Sequence, residues 1–335
     1  MARSTWCYLK NEKRIGEYEE LTVRSVGHWW LGDDPQWAQE LRRGFHLYSE
    51  TGITMIEPTR LHVNDVGAYR DPFKLTYRSY TLQQDGEEKK LDGLLEGAKL
   101  AGGLYRKPAL ADIVHNYIPA MRHAFWGFGM LQTYGAAYTP SGTVMNSLLF
   151  QTFDCMRHAQ RFVELAWELE LEEGEADEPH RPWMIWAPVQ ALRRFVERAL
   201  TNFDWAENLV LLNTVLAPLF QPVHEALMVG IPQSAGDWVI PQFWLRLAED
   251  TKRHRVLGRE FIRAALKDDP RNRSILQDWI EKWHPLALDA IDGLGPVIDA
   301  AAVHGFATRY AEMRAAILDL EAKELASCGL ALACA

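Results

Sequence analysis

Two short stretches carry residue types that bind metal at a spacing that suits it: Asp154-Cys155-Met156-Arg157-His158 and Asp250-Thr251-Lys252-Arg253-His254. Both read Asp-x-x-Arg-His. Two-metal carboxylate sites inside helical bundles take a Glu-x-x-His pair from each of two helices and a single Glu from each of two others. Side chains three apart lie on one helical face and point inward together. With its neighbours, that ligand motif reads Asp-Glu-x-Arg-His. Here the frame is present twice and the ligating Glu is missing twice, with Cys155 in one slot and Thr251 in the other.

The remaining carboxylates of such a site are missing too. The helix expected before the first motif offers Phe125, Trp126 and Gln132 in its middle turns, and the one before the second offers Asn213, Thr214 and Ala217. Glu225, beside His224, falls near the far end. Three other acid–His spacings lie off the bundle centre: Glu281 with His284 as a surface pair at a helix end, Asp112 with His115 at a helix start, and Asp177 with His180 in an acidic loop. No metal, catalytic or cofactor residue is therefore expected in this chain. Asp154, Arg157, His158, Asp250, Arg253 and His254 are expected instead to meet as one hydrogen-bonded ionic network, because a buried unpaired charge is costly. Cys155 and His158 have a spacing open to a thiolate, but a cysteine midway along an apolar helix is usually an inert core residue. There is no Gly-x-Gly-x-x-Gly, phosphate loop or Gly-x-Ser-x-Gly elbow.

The elements that must position these residues are helices. Asp71 as N-cap with Pro72 in the first turn predicts a helix through Leu95, stopped by Gly102-Gly103. Tyr77, Arg78 and Gln84 are polar groups on it that need partners. A long apolar helix is expected over 108–138, kinked or begun late at Pro119, and a second over 143–171 carrying the first motif. After an acidic run come a shorter helix over 183–200, a core helix over 205–228 and a helix over 238–266 carrying the second motif. Three more are expected over 272–283, 285–299 and 305–324. No segment alternates as a strand does. The fold class is all-α: a duplicated pair of helices, as in a ferritin-like bundle, with extra C-terminal helices.

Of the 335 residues, 48% are hydrophobic and 24% charged, which is ordinary globular composition. No Gly/Ser/Pro-rich linker divides the chain, so residues 69–335 read as a single domain. Residues 1–68 show no sustained period yet hold Trp6, Trp29, Trp30 and Trp37. Disordered segments are poor in aromatics, so this stretch reads as an extended N-terminal arm whose tryptophans are interface candidates. The net charge of −9 argues against nucleic acid or an anionic membrane as main partner. The apolar runs look too short to span a bilayer. The four cysteines form no Cys-x-x-Cys pair, and with no signal peptide a cytoplasmic location is expected.

A longer signature adds to this reading. Arg70-Asp71-Pro72, Leu75, Tyr77-Arg78, Tyr80 and Gln84-Asp85-Gly86, with Phe203-Asp204-Trp205 and Trp279-Ile280-Glu281-Lys282-Trp283, resemble blocks of the β subunit of the hydroxylase of bacterial multicomponent di-iron monooxygenases. The toluene/aromatic and alkene monooxygenase group is the nearest in pattern. The likeness covers roughly residues 60–300 and departs at His284, where such relatives carry Arg. It implies a ribonucleotide-reductase-like fold without metal. It implies α and γ partners in an α2β2γ2 hydroxylase, with the di-iron centre in α, served by an effector protein, a Rieske 2Fe-2S ferredoxin and an FAD reductase using NAD(P)H. Tyr77 and Arg78 of this signature are taken as interface candidates. Two rival readings are an autonomous di-iron oxidase and an unrelated metal-free helical scaffold.

Overall fold

The computed structural model describes residues 16–24, 59–65, 67–101, 110–170 and 180–332. Among them every regular element is a helix. Helix α1 spans Tyr77–Leu100. Helix α2 opens with a wide π turn, Ile113–Tyr117, and continues as Ile118–Tyr138. Helix α3 is Gly142–Glu170, α4 Arg181–Ile185, α5 Gln190–Ala199, α6 Trp205–Ser234 and α7 Val239–Asp268. Three more close the chain: α8 Asn272–Asp292, α9 Gly295–Ala300 and α10 Tyr310–Ser327.

Four of these form the bundle. α2 packs on α3, α3 on α7, α7 on α6, and α6 back on α2. α1 lies across α7, α8 covers α5 and α6, and α10 rests on the second half of α6. The core is one continuous apolar cluster with Trp244, Trp279, Trp283, Phe162 and Phe243 among its largest buried side chains. The α2–α3 hairpin is close because of Gly129: a Cβ there would sit 2.5 Å from Cε of Met156. The fold is therefore the expected all-α, ferritin-like bundle with added C-terminal helices.

Several boundaries differ from the sequence expectation for local reasons. α1 starts at Tyr77 rather than after Asp71, because Thr76 and Ser79 form a reciprocal capping box. The Asp71 carboxylate instead accepts from the amides of Phe73 and Leu75 at 2.7 and 3.1 Å, holding Pro72 in a turn ahead of the helix. The π turn of α2 immediately precedes Pro119, whose missing N–H rules out one regular helical bond. The stretch expected as one helix over 183–200 is divided into α4 and α5 by a short 3-10 turn at Pro188. Pro285 interrupts nothing and lies inside α8, so two expected helices are largely one. The last helix begins at Tyr310, five residues after the expected start, since Gly305 takes a left-handed φ of 95° at the end of the preceding turn.

α6 runs 30 residues, longer than expected, and includes two π segments, Leu211–Leu216 and Ala226–Gly230. By length and composition it is apolar enough to cross a bilayer, contrary to the sequence expectation. It is a core helix: nearly every residue from Trp205 to Leu216 is buried by its neighbours.

The described parts of the N-terminal arm pack on this chain's own bundle. Tyr18 is buried, and its hydroxyl accepts from the Asp71 amide at 2.9 Å. Residues 59–65 are laced to the α6, α7 and α8 ends: the Arg60 amide donates to Asp204, that of His62 to Asn272 and that of Asn64 to Asp268, at 2.7–2.8 Å. Trp6, Trp29, Trp30 and Trp37 lie outside the described residues.

Candidate functional site

Asp154 on α3 and Asp250 on α7 face each other at the bundle centre, and each is tied to the other helix's motif. Oδ2 of Asp154 accepts from Arg253 at 2.5 Å and from Nε2 of His254 at 2.8 Å. Oδ2 of Asp250 accepts from Arg157 and, at 3.1 Å, from Nε2 of His158. Arg253 also reaches Oδ1 of Asp250 at 3.0 Å, one turn back on its own helix. All six residues are buried. The structure thus brings together every residue of the network read from the sequence, in a pseudo-two-fold exchange of partners.

α1 completes it with residues the sequence reading did not place there. Nε2 of Gln84 donates one hydrogen to each carboxylate, at 3.1 Å to Asp154 and 2.9 Å to Asp250. The Tyr80 hydroxyl donates to Asp154 at 2.8 Å. Glu88 accepts from Arg157 and from Nε of Arg161, both at 2.7 Å. Tyr80, Gln84 and Glu88 are spaced four apart, one face of a helix. That spacing was the available signal. Tyr77 and Arg78 are exposed and take no part.

These contacts decide what the centre can hold. An ionised carboxylate has about four acceptor positions, and four protein donors occupy each of the two here. No lone pair is left for a cation, and two guanidinium groups already supply the positive charge. Burial pushes the Asp250 carboxyl up, but His158, Arg157 and Arg253 outweigh it and hold the group well below the usual carboxylate range. Burial keeps His158 below the ordinary imidazole range despite Asp250 beside it. The opposed pushes on this pair resolve as a neutral His158 donating to an ionised Asp250, because the two arginines stabilise the anion without the imidazole's proton.

Where the ligating glutamates of a metal site would converge there is a cavity of about 60 Å3. Cys155, Thr251, Gln132, Gln221, His224 and His254 line it among aromatic rings. Burial pushes the Cys155 thiol well up, leaving it neutral and inert. Thr251 is spoken for, accepting from Nε2 of Gln221 at 2.7 Å. Carboxamides stand on α2, α3 and α6 instead of carboxylates: Asn213 donates to Oε1 of Gln151 at 2.7 Å and Gln132 to the same oxygen at 3.1 Å. His224, sealed among Tyr117, Phe220 and Trp244, bonds the Tyr117 hydroxyl through Nδ1. Among the described residues no three His, Cys, Asp or Glu side chains are grouped to hold a metal ion. The donor set does not fit a carboxylate-bridged metal pair.

His284 differs from its expected place. It is mostly buried and pairs at 3.0 Å with Glu321 of α10, itself fully buried, so it joins α8 to α10 rather than standing free at the surface. His115 is at the start of α2 as expected.

Residues 37–269 match the family model of methane/phenol/alkene hydroxylases. The chain belongs to that family. The β subunit of the toluene-4-monooxygenase hydroxylase of Ectopseudomonas mendocina is 28% identical over 323 residues, covering 94% of this chain and 96% of that one. Two different oxygenase components of the phenol 2-monooxygenase of Pseudomonas sp. strain CF600 are also relatives. One is 26% identical over 70% of this chain and 72% of its own length, the other 25% over 67% of this chain and 43% of its own. Among solved structures, phenol hydroxylase from Pseudomonas sp. OX1 superimposes with a TM-score of 0.79 at 20% identity, covering 97% of this chain and 93% of that one. The resemblance read from Tyr69 to Glu88 is thus to the right family.

Proposed function

We propose that this chain is the metal-free β-type structural subunit of a multicomponent hydrocarbon monooxygenase hydroxylase. The single observation that carries this reading is the lining of the central cavity, where Cys155, Thr251, Gln132 and Asn213 stand in place of the four carboxylates a metal pair needs. The Asp154–Asp250 network converts the centre of a ligand-binding fold into a rigid pillar. A carboxylate fully hydrogen-bonded to Arg and His fixes the spacing of α1, α3 and α7, and through them the outer helices.

In this proposal the oxidation occurs in an iron-bearing α subunit, with a γ subunit completing an α2β2γ2 hydroxylase. Electrons come from NAD(P)H through an FAD reductase and a Rieske 2Fe-2S ferredoxin, and an effector protein regulates the complex. The chain holds no cofactor, works in the cytoplasm, and residues 69–335 act as one domain. The arm up to residue 68, with Trp6, Trp29, Trp30 and Trp37, binds partner subunits wherever it is not docked on this bundle.

Metal analysis of the isolated chain and of the co-expressed hydroxylase tests the reading. The isolated chain is expected to carry no stoichiometric iron and to co-purify in equal ratio with a larger iron-bearing polypeptide. Tight binding of two irons by this chain alone would return the autonomous oxidase.

A further inference from the structure

The central cavity has three spare hydrogen-bonding groups around it. Among the described residues, three buried side-chain atoms without a hydrogen-bond partner belong to residues that line it. They are Oε1 of Gln132 on α2, Nε2 of His224 on α6 and Nε1 of Trp244 on α7. All three residues are at most 2% exposed. The other polar groups of the lining are committed within the chain: Thr251 to Gln221, Asn213 to Gln151 and His254 to Asp154. Buried polar atoms are nearly always paired, so three spare ones at one cavity call for a cause.

Whether each atom gives or takes a hydrogen is set by the bonds beside it. Nε2 of Gln132 donates both of its hydrogens, to Gln151 at 3.1 Å and to Asn213 at 3.3 Å, which leaves Oε1 as a pure acceptor. Burial keeps the His224 ring neutral, so one of its nitrogens carries a hydrogen. Which one is decided by the bond the other makes. The fully buried Tyr117 hydroxyl has no acceptor but Nδ1 among the described residues, so it donates there and the ring hydrogen is on Nε2. Nε1 of Trp244 can only donate. The cavity thus offers one acceptor and two donors.

A hydroxyl group, with one hydrogen and two lone pairs, is the complement of that set. A carbonyl or nitrile has no hydrogen for Gln132, and an ammonium group has no lone pair for His224 or Trp244. Water has one hydrogen too many, left among aromatic rings. In an alcohol, carbon takes the place of that hydrogen, and Phe128, Leu212, Leu216 and Phe220 give it apolar neighbours. The volume of about 60 Å3 sets the size. It is about two waters' share at roughly 30 Å3 each, and well below the ~150 Å3 that admits benzene. We propose that this cavity is a binding site for an alcohol of one or two carbons, whose hydroxyl donates to Gln132 and accepts from His224 and Trp244. The site does not depend on the function proposed above.

The test uses the full-length chain with ethanol as the probe, followed by ligand-observed NMR. Ethanol is expected to occupy one site with a Kd on the order of 1 mM, about the limit for three heavy atoms. Ethane, which lacks the hydroxyl, and acetonitrile, which lacks the donor hydrogen, are expected to bind at least about tenfold more weakly. Gln132→Met and His224→Phe each remove one partner of the hydroxyl and should weaken ethanol binding by a similar factor. Helix content and melting temperature establish that each variant folds; if one does not, the three ligands compared on the unmodified chain decide the matter. A crystal of the chain soaked in ethanol should show the ethanol oxygen within hydrogen-bond distance of Gln132, His224 and Trp244. Ethane binding as tightly as ethanol overturns the proposal, since the cavity is then a dry apolar one. Water rather than ethanol in the soaked crystal overturns it as well. So does ethanol binding that both folded variants leave unchanged, or no saturable binding at about a hundredfold the expected Kd.

Discussion

Nε2 of His254 lies 2.8 Å from the Asp154 carboxylate, although the two residues sit on different helices of different motifs. The mirrored pair, His158 and Asp250, is 3.1 Å apart. In a metal site a histidine ligand is held in place by just such a carboxylate. Here the orienting bonds remain while the ligand shell they would serve does not. The acids that would support a metal have become the centre of the structure.

Asp250→Ala is expected to cost about 3–5 kcal/mol, because it leaves Arg157, Arg253 and His158 without their shared acceptor in the core. Against a total stability of about 5–15 kcal/mol, that should lower both melting temperature and subunit yield. Whatever hydroxylase does assemble should keep its iron content and its turnover per iron. Loss of turnover in a fully assembled, iron-replete complex would show that the network does more than hold the fold.

Gln84→Glu changes one atom type and should be worse than its size suggests. Gln84 Nε2 is the donor shared by both carboxylates, so the variant sets a third acid against two. Like charges raise a carboxyl's pKa. A cost of about 3 kcal/mol or more is expected at neutral pH. The new acid's raised folded-state pKa means that the folded variant gains a proton before the unfolded one as pH falls. The stability gap to the unmodified protein should therefore narrow between pH 7 and 5. Chemical denaturation at both pH values measures it, and Gln84→Leu should show a gap that does not move. A constant gap for Gln84→Glu would mean that the side chain does not sit between the two acids.

How much of this was legible in the sequence follows from which constraints are local. The paired Asp-x-x-Arg-His motifs, the missing glutamates and the meeting of their six residues could be read because three- and four-residue spacings fix a helical face. Gln84 was recognisable as a buried amide needing a partner. That its partners are the two motif acids depends on where α1 crosses α3 and α7, which no local rule supplies. Asp71-Pro72 looked like a helix start because either residue favours one; the Thr76–Ser79 box five residues later made a better one. Pro285 looked like a stop, and packing of Trp279, Trp283 and Ala287 on one buried face of α8 overrode it. The π segments of α6 and the cavity beside Cys155 have no sequence signature at all.

A buried and a half-buried histidine should each add an acid-side slope to the pH dependence of stability. Burial holds His224 well below the ordinary imidazole range, and burial with Arg122 beside it brings His123 down to about 4. Below about pH 6.5 the unfolded chain takes up protons that these folded histidines refuse, so stability falls as pH drops. The fully buried His224 contributes up to about 1.4 kcal/mol per pH unit, and the half-buried His123 less, because solvent screens it. His224→Phe should flatten the dependence between pH 6.5 and 5 by about that slope, whatever it does to absolute stability by removing Tyr117's partner. An unchanged slope, from denaturation at several pH values, would mean that His224 takes up a proton in the folded chain.

The double variant Cys155→Glu with Thr251→Glu restores Glu-x-x-His on both α3 and α7 and is still expected to bind no stoichiometric iron. His158 and His254 would stand three residues after the new glutamates, each still oriented through Nε2 by an acid of the facing motif. The carboxylates that α2 and α6 would have to supply are absent; Gln132 and Asn213, which line the same cavity, are neutral and tied to Gln151. The two new acids would enter a cavity of about 60 Å3 next to Asp154 and Asp250. Unpaired carboxylates in such a site destabilise by several kcal/mol, so the variant should melt lower and its glutamates should be protonated rather than metallated. Metal analysis after reconstitution with ferrous iron, together with the absorption spectrum, distinguishes the outcomes. A stoichiometric pair of irons in this double variant would show that two residues alone separate this subunit from a metal-binding one, and that the Arg157 and Arg253 network yields to a metal when ligands are offered.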